Sequence, residues 1–262
     1  AKGMLIVMMA TAVQAEDFKV PARSKEAIKA LGQSSWQALE DGLDVMRIIT
    51  GDGLVVTSYR ISPSRFNFDV VLQDDKKGSR AREIGEREGA VLVINGGFFA
   101  ERDTGMLYSI GYLKLNGVVQ SKGWNDSGGL IVFKGDGLEL IPTHKGIPKG
   151  DYDVLQSKPM IIEPGGIWAL GSNLGETKHR TMVCRMANEQ VIFILVTRSG
   201  LSLYEAGWML RSSERGGFFG CDSAVALDGG RSTQVWYSGR PDYSYSGIAP
   251  VQNFIVVRQR DN

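Results

Sequence analysis

The chain has 262 residues, and its 30 basic side chains balance 29 acidic ones to a formal net charge of +1. Glycine accounts for 33 of the 262 residues, roughly 13% against an average of about 7%, while the 8 prolines are ordinary. This composition excludes a collagen-like or disordered chain, and the balanced charge without a long basic run argues against a nucleic-acid partner.

The N-terminal segment is typical of a secretory signal peptide. An apolar run over residues 4–13 precedes a small-x-small site that ends at Ala15, and this run is too short to span a bilayer. We expect residues 1–15 to be cleaved and residues 16–262 to form one periplasmic or secreted domain. A buried N-terminal strand is the alternative, and no transmembrane segment is predicted.

The pattern along the chain predicts short strands, tight turns and few helices. Helices are expected over residues 21–31, with Ser24 as cap, 79–88 and 202–211. Hairpins are expected for 43–50 with 54–61, 107–115 with 118–121, and 129–133 with 138–141. Further strands are expected over 65–72, 90–94, 181–187, 191–197, 224–227, 233–237 and 251–258, and loops over 143–153 and 240–250. Strands and helices do not alternate regularly, so we predict an α+β single domain with a mixed, hairpin-rich β-sheet system.

Two segments could form a binding site because each joins an apolar strand to a polar residue and two glycines. The first is Asn95-Gly96-Gly97, and the second is Asp228-Gly229-Gly230, followed by Ser232 and Thr233. Paired glycines let backbone N–H groups approach an anion closely, and an aspartate at a strand end can act as base or nucleophile. A plain tight turn is the alternative at both places.

Glu205, Arg180 and Arg198 are further candidates. Glu205 lies three residues after Ser202, so it either completes a helix capping box or faces a cleft. Arg180 precedes a strand and Arg198 ends one, and a guanidinium can bind phosphate through two N–H groups.

The sequence argues against two other common catalytic centres, a serine-hydrolase triad and a metal site. His144 and His179 are the two histidines, and no GxSxG motif is present, which argues against a serine-hydrolase triad. The two cysteines, Cys184 and Cys221, lie outside any CxxC motif, so no metal site is predicted. No cofactor is expected, and the sequence leaves open both a divalent-cation requirement and whether the cysteines form a disulfide.

Taken in order, several segments resemble the phosphodiester glycosidase family. They are Trp36-Gln37-Ala38-Leu39 with Gly42-Leu43, Ile94-Asn95-Gly96-Gly97-Phe98-Phe99, Gln156-Ser157-Lys158-Pro159, His179-Arg180-Thr181, Leu201-Ser202-Leu203-Tyr204-Glu205-Ala206 and Ala226-Leu227-Asp228-Gly229-Gly230-Arg231-Ser232-Thr233. The chain departs from the family pattern at His179, where proline is frequent, and at Lys158 and Arg231, where glycine is common.

The resemblance implies hydrolysis of the bond between a sugar anomeric carbon and a phosphate oxygen. On this hypothesis Asp228 and Glu205 are the catalytic carboxylates, and Arg180 and Arg198 bind the phosphate. The substrate pocket would be lined by Asn95, Gly96, Gly97, Gly229, Gly230, Ser232 and Thr233. A sugar phosphate or polysaccharide of the envelope or extracellular space is the expected partner, while the oligomeric state stays open.

Two alternatives remain at this stage. The chain could be a non-catalytic glycan-binding or envelope-associated protein, in which Trp124, Trp236, Tyr243 and Tyr245 stack on sugars. It could also cleave the P–O bond of a phosphate ester instead of the C–O bond.

Overall fold

A computed structural model describes residues 19–73, 77–124 and 128–260. The predicted signal peptide lies outside these residues. The helices are α1 (Ala22–Gly32), α2 (Ala81–Glu88) and α3 (Leu203–Leu210). The strands are β1 (Gln37–Glu40), β2 (Leu43–Ile49), β3 (Leu54–Ile61), β4 (Phe66–Leu72), β5 (Leu92–Asn95), β6 (Phe99–Glu101), β7 (Leu107–Ser109), β8 (Tyr112–Leu115), β9 (Val118–Lys122), β10 (Gly129–Lys134), β11 (Gly137–Pro142), β12 (Asp153–Ser157), β13 (Met160–Glu163), β14 (Ile167–Trp168), β15 (Lys178–Arg185), β16 (Val191–Leu201), β17 (Ser223–Ala226), β18 (Val235–Tyr237) and β19 (Asn253–Gln259).

The largest sheet has eight antiparallel strands in the order β1-β2-β3-β16-β15-β17-β13-β14. Its central strand β16 shows why both faces are covered. Side chains alternate along a strand, and Val191, Phe193 and Leu195 enter one hydrophobic core, whereas Ile192 and Ile194 enter another on the opposite face. A continuous apolar run therefore becomes a strand that is buried on both sides.

Two smaller sheets cover one face of the large sheet, and helices cover the other. The four-stranded sheet has the order β18-β5-β19-β4, and the five-stranded sheet has the order β11-β10-β12-β8-β9. Both contribute to the core that contains Phe193. Helices α1 and α3 contact each other and pack on the opposite face of the large sheet, and α2 packs on the outer side of the four-stranded sheet. The predicted α+β class is confirmed.

Most predicted elements are confirmed within one or two residues, and the exceptions have visible causes. Ser24 does not cap α1: Pro21 holds the N-cap position, and the buried Ser24 hydroxyl donates to the Glu205 carbonyl at 2.9 Å. The strand predicted over 107–115 is divided into β7 and β8, because β7 pairs with β6 while β8 pairs with β9 and β12.

Cys184 and Cys221 form a disulfide that joins β15 to the segment before β17. Both residues are buried in the core beneath α1 and α3. Among the described residues, no helix has the length and apolar character needed to cross a membrane.

Candidate active site

A cleft of about 800 Å³ opens at one edge of the large sheet. Because the strands are antiparallel, the beginning of β15 lies beside the end of β16 and the end of β17. Residues at or next to these strand ends therefore lie close together, although they are far apart in sequence. Of the predicted site residues, Arg180, Arg198, Asp228, Gly229, Gly230 and Ser232 line this cleft.

Asp228 places a half-buried carboxyl group in the cleft. Its burial raises the pKa of this carboxyl group, and hydrogen bonds from Ser232 and Gly229 together with the charge of Lys178 partly oppose the rise. The main chain of Asp228 is held on both sides. Its N–H donates to the Gly96 carbonyl at 3.1 Å, and its carbonyl accepts from Asn95 Nδ2 at 2.7 Å.

The cleft carries more positive than negative side chains. Its basic residues are Lys158, Lys178, Arg180, Arg198 and Arg231, and its acidic residues are Glu176 and Asp228. Lys178 Nζ forms an ion pair with Glu176 Oε1 at 2.5 Å. A cleft with this charge distribution favours an anionic ligand.

Arg180 is the most constrained of these cations. Its Nε donates to the Leu201 carbonyl at 3.0 Å and its Nη2 to the Glu176 carbonyl at 2.6 Å, which uses two of the five N–H groups of a guanidinium. Burial lowers the pKa of Arg180, although an arginine stays charged at neutral pH. The guanidinium is thus held in one orientation by main-chain carbonyls.

Asn95 lies behind the cleft and connects several of its segments. It is fully buried, and its Oδ1 accepts from the Thr181 hydroxyl at 2.8 Å and the Gln234 N–H at 3.1 Å. Thr233 is also fully buried and accepts from the Thr181 hydroxyl at 3.2 Å. Neither Asn95 nor Thr233 is among the described residues that line the cleft.

The backbone N–H groups of Gly96 and Gly97 are already engaged. Gly96 donates to the Asn253 carbonyl at 2.8 Å, and Gly97 donates to Asn253 Oδ1 at 2.7 Å. A side chain at Gly96 would overlap Asn253, since a Cβ there would lie 2.1 Å from Oδ1. Gly96 allows close packing against Asn253 of β19, and Gly97 lies against Leu155 and Gln156 of β12. The cleft wall begins at the next residue, Phe98.

Glu205 is the N3 residue of the capping box at the start of α3, and Ser202 is the N-cap. Its Oε2 accepts from the Ser202 N–H at 2.9 Å, and the Ser202 hydroxyl accepts from the Glu205 N–H at 3.1 Å. Glu205 is not one of the described residues that line the cleft. Both predicted carboxylates therefore exist in defined environments, but they are not brought together.

Glu176, Lys178 and His179 also line the cleft. The sequence singled out His179 but not Glu176 or Lys178. His179 Nε2 lies 3.1 Å from the Arg198 carbonyl, and its Nδ1 lies 3.3 Å from the Tyr245 hydroxyl. The polar run from 176 to 180, which includes the first residues of β15, is the signal that could have indicated Glu176 and Lys178.

The aromatic residues considered for sugar stacking lie in different places. Tyr245 contacts His179, and Trp124 lies 4.6 Å from the Lys158 ammonium group, so both adjoin the cleft. Trp236 packs beneath α2 against Gly85, and Tyr243 contacts Gln37 and Arg240. Among the described residues, no group of three or more histidine, cysteine, aspartate or glutamate side chains is placed to hold a metal ion.

Comparisons with known proteins agree with this architecture. The family model described as phosphodiester glycosidase matches residues 88–258. No curated protein sequence matches the chain. A hypothetical protein from Synechocystis has a similar fold, with a TM-score of 0.58 and 16% identity over 87% of this chain, and the chain spans 64% of that protein.

A second solved structure with a similar fold is the catalytic domain of zebrafish N-acetylglucosamine-1-phosphodiester alpha-N-acetylglucosaminidase, auto-inhibited by its pro-peptide. Its TM-score is 0.58 at 12% identity, and the match covers 87% of this chain and 88% of that domain. At these identities the two structures establish the fold, while the family model establishes the relationship in sequence.

Proposed function

The chain belongs to the phosphodiester glycosidase family, and from this premise we propose that it hydrolyses a sugar-1-phosphodiester of the N-acetylglucosamine type at the anomeric C–O bond. Cleavage of this bond releases a phosphate monoester, which is a good leaving group. The enzyme must then bind the phosphate, stabilise an oxocarbenium-like centre, and supply a carboxylate that attacks the anomeric carbon or activates water.

The observation that carries the proposal is the Asp228 carboxyl group, which shares with Glu176 a cleft that holds five basic side chains. Arg180, fixed by two main-chain carbonyls, binds the phosphate, and Arg198 assists from the end of β16. Asp228 is the nucleophile or base, because Glu176, the other carboxylate of the cleft, is held in an ion pair with Lys178. The positive charges stabilise the negative charge that grows on the departing phosphate.

The first experiment measures hydrolysis of an N-acetylglucosamine-1-phosphodiester model compound. Asp228→Asn keeps the size of the side chain and removes its charge, so kcat should fall by on the order of 10²- to 10⁴-fold. Glu205→Gln keeps the capping contacts and is the control, with activity close to that of the unchanged protein. Tight glycan binding without turnover under any metal condition would instead support a glycan-binding protein.

The second experiment identifies the bond that is cleaved. When the reaction runs in ¹⁸O-labelled water, C–O cleavage places the label in the sugar. Label in the phosphate product would show a phosphate-ester hydrolase and contradict the proposal.

We also propose that the protein is exported and acts on envelope or extracellular glycan. The Cys184–Cys221 disulfide supports this location, because disulfides persist in oxidising compartments. Fractionation of cells that produce the full chain, with N-terminal sequencing of the protein, tests both the location and the cleavage after Ala15.

A further inference from the structure

A second cavity of about 430 Å³ adjoins the cleft, and we call it the side chamber. It shares Pro159, Glu176, Arg180 and Leu203 with the cleft. The arginine that we assign to the phosphate therefore stands at the wall between two spaces. A phosphodiester carries one group on each side of its phosphorus, so a phosphate held at Arg180 can place one group in each cavity.

The side chamber differs from the cleft in the kind of residue that surrounds it. Met160, Leu170, Leu203 and Tyr204 contribute apolar surface. The Tyr204 ring is held edge-on against Trp168, with 5.4 Å between ring centroids. An apolar face of a ligand would replace water along this wall and gain free energy from its burial.

The charges of the side chamber also differ from those of the cleft. Glu163 and Glu176 both line it, and His144 Nδ1 lies 3.9 Å from Glu163 Oε1. Apart from the shared Arg180, the chamber lacks the basic residues of the cleft among its described lining. Glu176 is paired with Lys178, whereas Glu163 lines only the chamber, so a second negative group in the chamber would be repelled mainly by Glu163.

We propose that the side chamber binds the group esterified to the far side of the phosphate and selects an uncharged group with an apolar face. The assignment of the phosphate to Arg180 rests on the proposed function. The preference excludes substrates with a second anionic group directly beyond the phosphodiester, such as a polymer of phosphate-linked repeats.

The test measures binding by calorimetry, so that it does not depend on turnover. Inorganic phosphate, phenyl phosphate and 4-carboxyphenyl phosphate are the three probes. Phenyl phosphate should bind about 10-fold more tightly than inorganic phosphate, because its ring enters the chamber. The added carboxylate should remove this gain.

Ala169→Trp fills the chamber from an exposed loop position, and it should abolish the preference for phenyl phosphate while inorganic phosphate still binds. Ile167→Trp is the matched control, because Ile167 is 57% exposed and lies outside the described lining of both cavities. Equal affinity for all three probes, no binding of any probe, or an unchanged preference in Ala169→Trp would overturn the inference. Failure of the proposed hydrolysis with the phenyl preference intact would contradict the catalytic proposal alone.

Discussion

Asp228 is subject to two opposing requirements, because the proposed catalysis needs its carboxylate charged and its surroundings desolvate that charge. Burial raises the pKa of its carboxyl group. A raised pKa means that the folded state favours the protonated form. The free energy of unfolding therefore falls as the pH rises from the ordinary aspartate pKa to the raised pKa of the folded state, and the loss is complete above the folded pKa.

We predict that Asp228→Asn increases the free energy of unfolding at pH 7, because a neutral amide avoids the cost of burying a charge. The increase should disappear at a pH below the ordinary aspartate range, where Asp228 is protonated in both states. Urea unfolding at several pH values measures this difference. Destabilisation of the variant at pH 7 would contradict it.

Asn95 is a positioning residue in our interpretation, since its amide joins Asp228, Thr181 and Gln234. We predict that Asn95→Asp lowers kcat at least 10-fold with little change in KM, because the new carboxylate cannot donate to the Asp228 carbonyl. Steady-state kinetics separate the two constants. A rise in KM at constant kcat would point to substrate binding instead. Thr233→Ser, which keeps the hydroxyl behind the cleft, is the control.

Some of the residues predicted for the site line the cleft and others do not. Asn95-Gly96-Gly97 and Asp228-Gly229-Gly230 look alike as sequences, since each joins an apolar strand to a polar residue and two glycines. Only the second lines the cleft. The two segments differ in their hydrogen-bond partners, because Asn253 of β19 accepts hydrogen bonds from the N–H groups of Gly96 and Gly97. A contact between residues more than 150 positions apart leaves no pattern in the sequence near either residue.

At the scale of elements, α3 illustrates a motif that the sequence described fully. The capping box between Ser202 and Glu205 forms as the spacing predicts. Glu205 also connects α3 to α1, because its carbonyl accepts from the Ser24 hydroxyl.

We predict that Glu205→Ala lowers the free energy of unfolding by about 0.5–2 kcal/mol, as the loss of a helix cap does. Its kcat should stay within about twofold, because Glu205 lies outside the cleft lining. Thermal unfolding and the hydrolysis assay together check the prediction. Loss of activity with unchanged stability would return Glu205 to the catalytic candidates.

Most of the longer apolar strands were predicted, whereas the short strands β1, β6, β12, β13 and β14 were not. β12 contains a glutamine and a serine and follows a loop of lysine, glycine and proline, so its pattern does not stand out. It becomes a strand because β10 and β8 pair with it on both sides. The buried Gln156 side chain then accepts hydrogen bonds from the N–H groups of Tyr112 and Trp124. This strand therefore forms through contacts with segments that are distant in sequence.

At the scale of the whole molecule, the disulfide links segments 37 residues apart. We predict that Cys184→Ala with Cys221→Ala lowers the free energy of unfolding by about 2–4 kcal/mol, because the unfolded chain regains the freedom of that loop. The measurement is the unfolding of the oxidised protein, the reduced protein and the double variant. The reduced protein and the double variant should have the same free energy of unfolding. Identical midpoints with and without reductant would contradict the prediction.

The position of β19 has a consequence for the timing of activity in the cell. β19 lies between β4 and β5 in its sheet, yet the ribosome makes it after both, and after all the residues that line the cleft. Until it inserts, β4 and β5 are not paired through it, and Gly96 and Gly97 lack the Asn253 partner that fixes the segment holding Asp228. A nascent chain therefore has an incomplete cleft, so the proposed hydrolysis can begin only after synthesis has passed β19 and the chain has folded.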